Sequence, residues 1–419
     1  MTFDGHHTVL GWSATTRIVY YHGGIVDYHG VLAPPFHLYE EYPSMSALVI
    51  EPVKSWWQRR QFLNLPWDIY KGDPNWIPPL RGNQKEMLNY SYNPFYDDAE
   101  NQTFLAKRDG RPVGCIAALV NHAHNRRYKE KRGFFGFFDC EDKQETANAL
   151  FDAAKSWLAE KGMTAIRGPM NPSMNHECGL LIEGFDSPPT FMMTYNRPYY
   201  QKLVETYGFV KAQDMHAFWG HIEMLSGLDK KLEFIVAECK RRFEVKLRPL
   251  DTTRFAEEVQ TFLNIYNQSL VGTWGFVPIS DAETAHMGKG LRQLVVPEMT
   301  MIAEINGSPI GAVFGLLDYN PRIKLIGGRL FPFGFIRLLW NRKAIKRVRL
   351  ISTNVIPEYQ KWGVGLLIVA HLLPAVYAWG IEEAEFSWVL ESNTLSHGTL
   401  KRGGAKIIKT YRIYDLEIS

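Results

Sequence analysis

Cysteine is scarce in this chain. Cys115, Cys140, Cys178 and Cys239 are spread through 419 residues, and none sits in C-x-x-C spacing. That excludes a disulfide scaffold and the zinc-knuckle and thioredoxin-like motifs, and it fits reduced thiols in a cytoplasm. An excess of charge is also missing. Lys plus Arg is 47 against 44 Asp plus Glu, a net charge of +3, too small to point to nucleic acid. Met1 to Tyr20 lacks the basic start and apolar run of a signal peptide. One long uncharged run exists, Trp362 to Ile381. Its length suits a bilayer, but its three glycines, His371 and Pro374 read as the buried helix of a soluble domain.

The composition that remains is globular, with 46% apolar and 22% charged residues. Residues 1–44 stand apart. They hold five of the 13 histidines without a helical or strand period, and without acidic or cysteine partners at metal-site spacing, so no metal is expected. Regular patterning begins at Met45, which reads as the natural start, with a first strand over Ala47–Val53.

Beyond that point the chain repeats itself. Gly110, Pro112 and Gly114 recur as Gly307, Pro309 and Gly311, at an offset of 197. Asp109-Gly110 and Asn306-Gly307 are hairpin turn signals, since both central residues accept positive φ. Gly208 and Gly404, at an offset of 196, each follow a helical pattern and precede an alternating strand. The repeat predicts a duplicated α/β unit, with copies at 45–221 and 222–419. Long helices are expected over Gln144–Lys161, where apolar residues recur at i, i+3, i+4 and i+7, and over Val364–Trp379. A charged amphipathic helix over Asp229–Phe243 joins the copies.

In copy two, a β-branched strand over Val348–Pro357 runs into Gln360-x-x-Gly363-x-Gly365, which opens the second long helix. Glycines there expose successive backbone N–H groups at a helix N-terminus, where an anion such as a pyrophosphate binds. A dinucleotide fingerprint needs a third glycine and a P-loop needs Gly-Lys-Ser/Thr, and both are absent. Strand, Q-x-x-G-x-G, helix and strand together resemble the acyl-CoA-binding motif of the GNAT superfamily of N-acetyltransferases. The resemblance covers both copies and implies two tandem GNAT-like domains, each a mixed, mostly antiparallel sheet flanked by helices. It implies acyl-CoA as co-substrate and transfer of an acetyl or longer acyl group to an amine. Backbone groups of Lys361, Trp362, Gly363, Val364, Gly365 and Leu366 would hold the pyrophosphate, with Gln360 in the motif. Asn354, Val355 and Ile356 would pair with the pantetheine arm, an N–H of Val355 or Ile356 would face the oxyanion, and Asn393 would lie near the cofactor. The tyrosine that often serves as thiolate acid in this family is replaced by Leu400.

Three general bases are expected: Glu391 at a strand end, and the His176-Glu177 pair of copy one. His397 and Glu358 are weaker choices. At the place of the glycine loop, copy one carries Asp139, Glu141 and Asp142, which would repel a pyrophosphate. It keeps a polar block instead, in which Asn171, Ser173, Asn175 and Tyr195 are expected to recognise a substrate head group. Trp274 and Phe276 of copy two are expected to form an apolar acceptor wall. This block, with Asp73–Leu80 and Gly133–Phe138, resembles a bacterial family of tandem acetyltransferase-like proteins. Bacterial ceramide synthases belong to an acetyltransferase-like group, so a lipid amine is one acceptor the resemblance implies.

Between Arg322 and Arg349 stand nine Lys or Arg and no acid, interleaved with bulky apolar side chains. A helix over Phe335–Val348 would have a basic and an apolar face, so peripheral membrane contact is expected through Phe335–Arg349. The enzyme would then be cytoplasmic, at the inner membrane face. The competing readings are a non-catalytic acyl-CoA-binding or membrane-surface protein and an aminoacyl transferase using charged tRNA. The lack of a broad basic surface argues against the latter.

Overall fold

The computed structural model describes residues 47–226 and 230–418. The N-terminal extension and Met45 lie outside the described residues. In the first half the order is β1 (Leu48–Pro52), α1 (Trp56–Ile69), α2 (Arg81–Met87), β2 (Ala99–Arg108), β3 (Arg111–Asn121), α3 (His122–Tyr128), β4 (Arg132–Cys140) and α4 (Gln144–Glu160). Then come β5 (Ala165–Gly168), a small hairpin of β6 (Met170–Asn171) and β7 (Glu177–Cys178), β8 (Leu180–Glu183), α5 (Tyr200–Tyr207) and β9 (Val210–His221). The second half begins with α6 (Lys230–Arg242), β10 (Lys246–Pro249), α7 (Phe255–Ser269), α8 (Asp281–Leu291), β11 (Thr300–Ile305), β12 (Ser308–Leu317), α9 (Asn320–Leu325) and α10 (Gly334–Leu339). It ends with β13 (Arg347–Val355), α11 (Val364–Trp379), β14 (Glu383–Leu390), α12 (Thr394–Arg402) and β15 (Lys406–Glu417).

The duplication is visible element by element. Asp109-Gly110 turns β2 into β3 and Asn306-Gly307 turns β11 into β12, with φ of 50° and 77° in the first turn and 51° and 77° in the second. Gly208 ends α5 at φ 114° and Gly404 lies between α12 and β15 at φ 83°. α4 buries Ala147, Leu150, Phe151, Ala154 and Leu158, the face its periodicity predicts. α11 runs through Pro374 and buries Val364, Leu367, Ile368, Leu372 and Val376. Among the described residues no helix is long and apolar enough to cross a membrane.

The two halves share one thirteen-stranded sheet, in the order β1-β2-β3-β4-β5-β15-β9-β14-β13-β12-β11-β10, with β8 pairing β15 off that path. Each half contributes one parallel pair, β4–β5 and β13–β14, and the remaining pairs are antiparallel. By the repeat offset, β9 and β15 are equivalent strands, yet each lies against the other half's strand. β15 pairs with β5 and β9 pairs with β14, and the two pair with each other along most of their length. Bidentate Arg–Asp pairs bind the seams. Arg412 meets Asp214 across β15 and β9 at 2.8 and 3.0 Å, and Arg167 meets Asp415 across β5 and β15 at 2.8 and 2.7 Å.

The expected Phe335–Val348 helix does not form. α10 stops at Leu339, Trp340 is extended, and Asn341 takes a left-handed φ of 44°. Arg322 closes the break by donating to the carbonyls of Leu338, Trp340 and Asn341, and β13 already begins at Arg347.

Because β9 and β15 are exchanged, neither half can complete its sheet alone. Fragments 1–221 and 222–419 should each fail to fold when expressed singly, and should reconstitute a complex of full mass when co-expressed. Size-exclusion chromatography and calorimetry read this out, and a folded, monomeric 1–221 would contradict it.

Candidate active site

β13 and β14 run parallel only from Arg347 and Glu383 to Leu350 and Phe386. Beyond that, β13 stays with β12, while β14 slips register between Phe386 and Val389 and follows β9. The strands splay, and the opening is an apolar cavity of about 210 Å³ lined by Ile351, Thr353, Leu366, Val369, Trp388 and Leu400, among others. Two polar atoms on its lining residues, Ser352 Oγ and Trp388 Nε1, are buried without a protein partner. A buried donor left unmade is costly, so a ligand's amide or carbonyl is well matched to them.

The N-terminus of α11 stands beside this cleft, and its first-turn residues Gly365 and Leu366 line it. Gly363 is its N-cap at φ 81°. No side chain caps the helix and no acid stands in its first turn. Its first donors therefore remain free for an anion. A side chain at Gly363 is excluded twice, by its φ and by Ile235 of α6, whose Cγ2 would lie 2.4 Å from a Cβ. Arg242 lies 3.6 Å above the Trp362 ring and brings cationic charge to the loop.

Other residues of the motif act as braces. Gln360 Nε2 donates to the carbonyls of Val355 and Ser269, both at 3.0 Å. Asn354 is buried, accepts from Ser269 Oγ at 3.1 Å, and keeps an unpaired Nδ2. The Ile356 N–H is consumed by Ile310 O at 2.9 Å, which removes it as an oxyanion donor and leaves Val355. Asn393 caps α12 through the Ser396 N–H at 3.1 Å rather than lining the cleft. Glu391 does not line it either. Its carboxylate is held by Lys211 Nζ at 2.7 Å and the Asp214 N–H at 3.2 Å, so it ties β14 to β9. His397 packs on His216 and Phe218, and Glu358 is exposed.

Copy one has closed the equivalent splay. The chain leaving β5 crosses β4 so tightly that a Cβ on Gly136 would lie 1.8 Å from the Met170 carbonyl, and Asn171 Oδ1 accepts the Phe137 N–H at 2.6 Å. Beside the start of α4, Glu141 takes bonds from Thr146, Lys143 and Arg108. Burial would raise that carboxyl, but those donors hold it below its usual range.

A larger cavity of about 720 Å³ lies against copy one's polar block and draws its walls from both halves. His176 and Glu177 line it. His176 Nδ1 is fixed by Ser173 Oγ at 2.9 Å, and burial, aided by His286, pushes the imidazole down to about 4, so it is neutral at physiological pH. Burial pushes Glu177 up to about 7, with Arg349 acting weakly against it. Among the described residues the Glu177 carboxylate has no hydrogen-bond partner. Of the predicted head-group residues, Asn171, Asn175 and Tyr195 line this cavity too, and Ser173 does not. Asn175 binds Val277 O at 2.8 Å and Tyr266 OH at 3.2 Å, and Tyr195 donates to Asp73. The Trp274–Phe276 wall is corrected too. Trp274 lies under Arg167 at 4.4 Å, Phe276 is buried, and neither lines the cavity, because their loop is clamped onto copy one's polar block.

Sequence reasoning missed Asp139 as a cavity residue. Tyr70 and Tyr200 donate to its Oδ1 at 2.7 and 3.0 Å, and burial lifts it to about 6. Its place as the first acid after the aromatic run Gly133–Phe138 was the available signal. Arg349 was missed as well. It is buried between cleft and cavity, donating to Ser387 Oγ at 3.0 Å on the cleft side and to the Phe191 and Met192 carbonyls, at 3.0 and 2.9 Å, on the cavity side.

A parallel strand pair joined through a long helix, built twice in one sheet and splayed beside a glycine-opened helix in copy two, defines a tandem GNAT fold. The tandem GNAT protein from the clavulanic acid biosynthesis pathway superposes with a TM-score of 0.54 at 11% identity, covering 89% of this chain and 99% of that one. The glucosamine N-acetyltransferase region of a fungal multi-domain GH3 β-N-acetylglucosaminidase gives 0.52 at 14% identity, covering 88% of this chain and 38% of that one. No family model matches the chain. Curated relatives do. It is 37% identical over 365 residues to protein YghO of Escherichia coli (strain K12), covering 86% of this chain and 93% of that protein. It is 35% identical over 381 residues to the bacterial ceramide synthase of Caulobacter vibrioides, covering 88% and 97%. The chain belongs to the family of these two proteins.

Gly363→Glu places a carboxylate at the anion site and forces a side chain into Ile235. A ligand bound only to the native state raises the melting temperature. Long-chain acyl-CoA should therefore stabilise the wild type and leave this variant unshifted in a thermal-shift assay. An undiminished shift in the variant would remove the α11 N-terminus from the site.

Proposed function

We propose that this protein transfers an acyl group from acyl-CoA to the amine of a lipid, as the name of its Caulobacter relative describes for that protein. The observation that carries this reading is the pairing of an open cleft, whose helix N-terminus is uncapped, with a large apolar-walled cavity holding an unpartnered Glu177. The residues fit acyl-CoA in two ways. The free N–H groups of Gly363 to Leu366 suit its pyrophosphate, and the unpaired Ser352 and Trp388 donors suit the amides of its pantetheine arm. The domain division near residue 222 then separates a donor-binding half from a half that shapes the acceptor site.

Glu177 would accept the proton that the acceptor's ammonium must shed before its nitrogen attacks the thioester carbonyl. A carboxyl near 7 is matched to that task at physiological pH, where a carboxylate of ordinary pKa would be a weak base. Neutral His176, oriented by Ser173, would position the amine or a neighbouring hydroxyl. The Val355 N–H is the backbone donor left for the oxyanion. Leu400 fills the place of the family's usual tyrosine, so the departing thiolate takes no proton from that position.

Two outcomes follow. With a long-chain acyl-CoA and a sphingoid-type amine, kcat/KM should rise with pH through about 7 as Glu177 loses its proton. Glu177→Gln should lower kcat about 10²- to 10⁴-fold while leaving the acyl-CoA thermal shift intact. The same substitution has a stability signature. A carboxyl raised above its ordinary value binds its proton more tightly when folded, so it supports the fold below that value and loses this support as pH rises through about 7. Glu177→Gln should thus melt higher than the wild type above pH 7. Unchanged turnover in that variant would leave the base elsewhere.

A further inference from the structure

The segment from α9 to α10 is where apolar side chains are least buried. Phe331 is 87% exposed, Leu325 79%, Trp340 73% and Phe333 69%, and Phe335 and Ile336 are about half exposed. A cluster of this kind on a monomer's surface marks an interaction site. The charges around it are of one sign. Of the nine cations between Arg322 and Arg349, Arg347 is paired with Glu383 and Arg349 is buried inside the molecule. Arg322 and Arg342 are spent on backbone carbonyls. Lys346 is paired with Glu382 at 3.6 Å. Lys324, Arg329, Arg337 and Lys343 remain exposed, and the side chains of Arg329 and Arg337 have no acidic or hydrogen-bonding partner among the described residues.

This segment also forms part of the large cavity's wall. Ile323 and Leu330 line the cavity, and Leu330 is 38% exposed at the same time, which puts it on the rim. The segment is pinned to the opposite wall. Arg81 N–H donates to Gly328 O at 3.1 Å, Lys324 donates to Pro74 O, and Gly328 approaches the Pro79 carbonyl so closely that a Cβ there would lie 2.2 Å from it. Pro78, Pro79 and Leu80 line the cavity from that side.

We propose that Leu325–Trp340 is a membrane-docking ridge for an anionic lipid surface and that the cavity opens beside it, so that the acceptor lipid passes from the bilayer toward His176 and Glu177. This rests on the lipid-amine reading above. Aromatic and aliphatic tips seat at the headgroup boundary, and the flanking Arg and Lys meet lipid phosphates. The contact differs from that of an amphipathic helix over Phe335–Arg349. It is a folded loop and a short helix, and its apolar tips extend N-terminal to Phe335.

The test is flotation of the full chain with phosphatidylglycerol-rich and with pure phosphatidylcholine vesicles. It is paired with acyl transfer to an amine presented either in those vesicles or in detergent micelles. Binding to the anionic vesicles, weakened by salt, is expected. Substituting the three tips together (F331S, F333S, W340S) should weaken it about tenfold or more and slow transfer from vesicles, while transfer in micelles is unchanged. No vesicle binding by the wild type, or equal binding by the variant, overturns the docking ridge. Retention on heparin without vesicle binding also overturns it and points to another polyanion. Vesicle binding without any transfer in micelles would instead sink the acyltransferase reading and leave the ridge standing.

Discussion

The rest of the molecule depends on the exchange of β9 and β15. A duplicated domain would ordinarily close each sheet with its own last strand. Here each last strand fills the gap in the other half, and the two meet antiparallel in the middle of one sheet. Two Arg–Asp pairs lock the seams, and the seam side chains Phe218, Tyr411, Ile413 and Tyr414 are fully buried. Buried surface on this scale is what makes the halves one cooperative unit. It has a functional consequence. The donor cleft opens on β13 and β14 of one half, while the unpartnered acid lies on β7 of the other. The shared sheet holds Arg349 between them, bonded to Ser387 on one side and to the Phe191 and Met192 carbonyls on the other.

The duplication has been used asymmetrically. In copy two the parallel pair splays and nothing fills the gap. In copy one the chain after β5 lies across β4, and Glu141 faces the start of α4 with its own negative charge. The same physical features that attract an anion in one copy are satisfied internally in the other. Copy one has thereby exchanged a ligand cleft for a wall. The loops that plug its splay continue through the turn that holds His176 into the strand that carries Glu177, so the plug and the acidic cavity are parts of one local rearrangement.

How much of this was legible in the sequence depends on the range of the interaction. The hairpin glycines, the helix-ending Gly208 and Gly404, the faces of α4 and α11 and the glycine loop are set by local backbone geometry and period, and they appear where the residues put them. His176 and Glu177 were legible as a polar pair among Asn, Pro and Gly. Their separation into a neutral imidazole and a high-pKa carboxyl was not, because burial comes from walls contributed by both halves. Glu391 illustrates the reverse. Its place at a strand end suggests a base, but Lys211 and the Asp214 N–H, about 180 residues earlier, take its carboxylate. Trp274 and Phe276 were misplaced for the same reason, since clamping onto copy one is a long-range event. The strand exchange leaves no trace in either strand's own pattern, since a strand's alternation records which face is buried and not which neighbour it pairs with.

The basic, greasy segment shows why a period alone does not make a helix. From Phe335 to Val348 the sequence supports an amphipathic face, but Arg347 to Arg349 are committed to the sheet. β13 must pair with β12 and β14 for the cleft to exist, and that pairing buries Val348, Arg349 and Leu350. The tertiary gain of three sheet residues with a satisfied Arg349 outweighs the fractions of a kcal/mol per residue at stake in helix propensity. The helix therefore ends at Leu339, and Arg322 caps the carbonyls it leaves. What remains exposed is the part that the sheet cannot use: the aromatic tips before the break and the cations beside them. The cleft's geometry thus fixes where the apolar surface ends, and it leaves that surface beside the cavity that a lipid acceptor would enter.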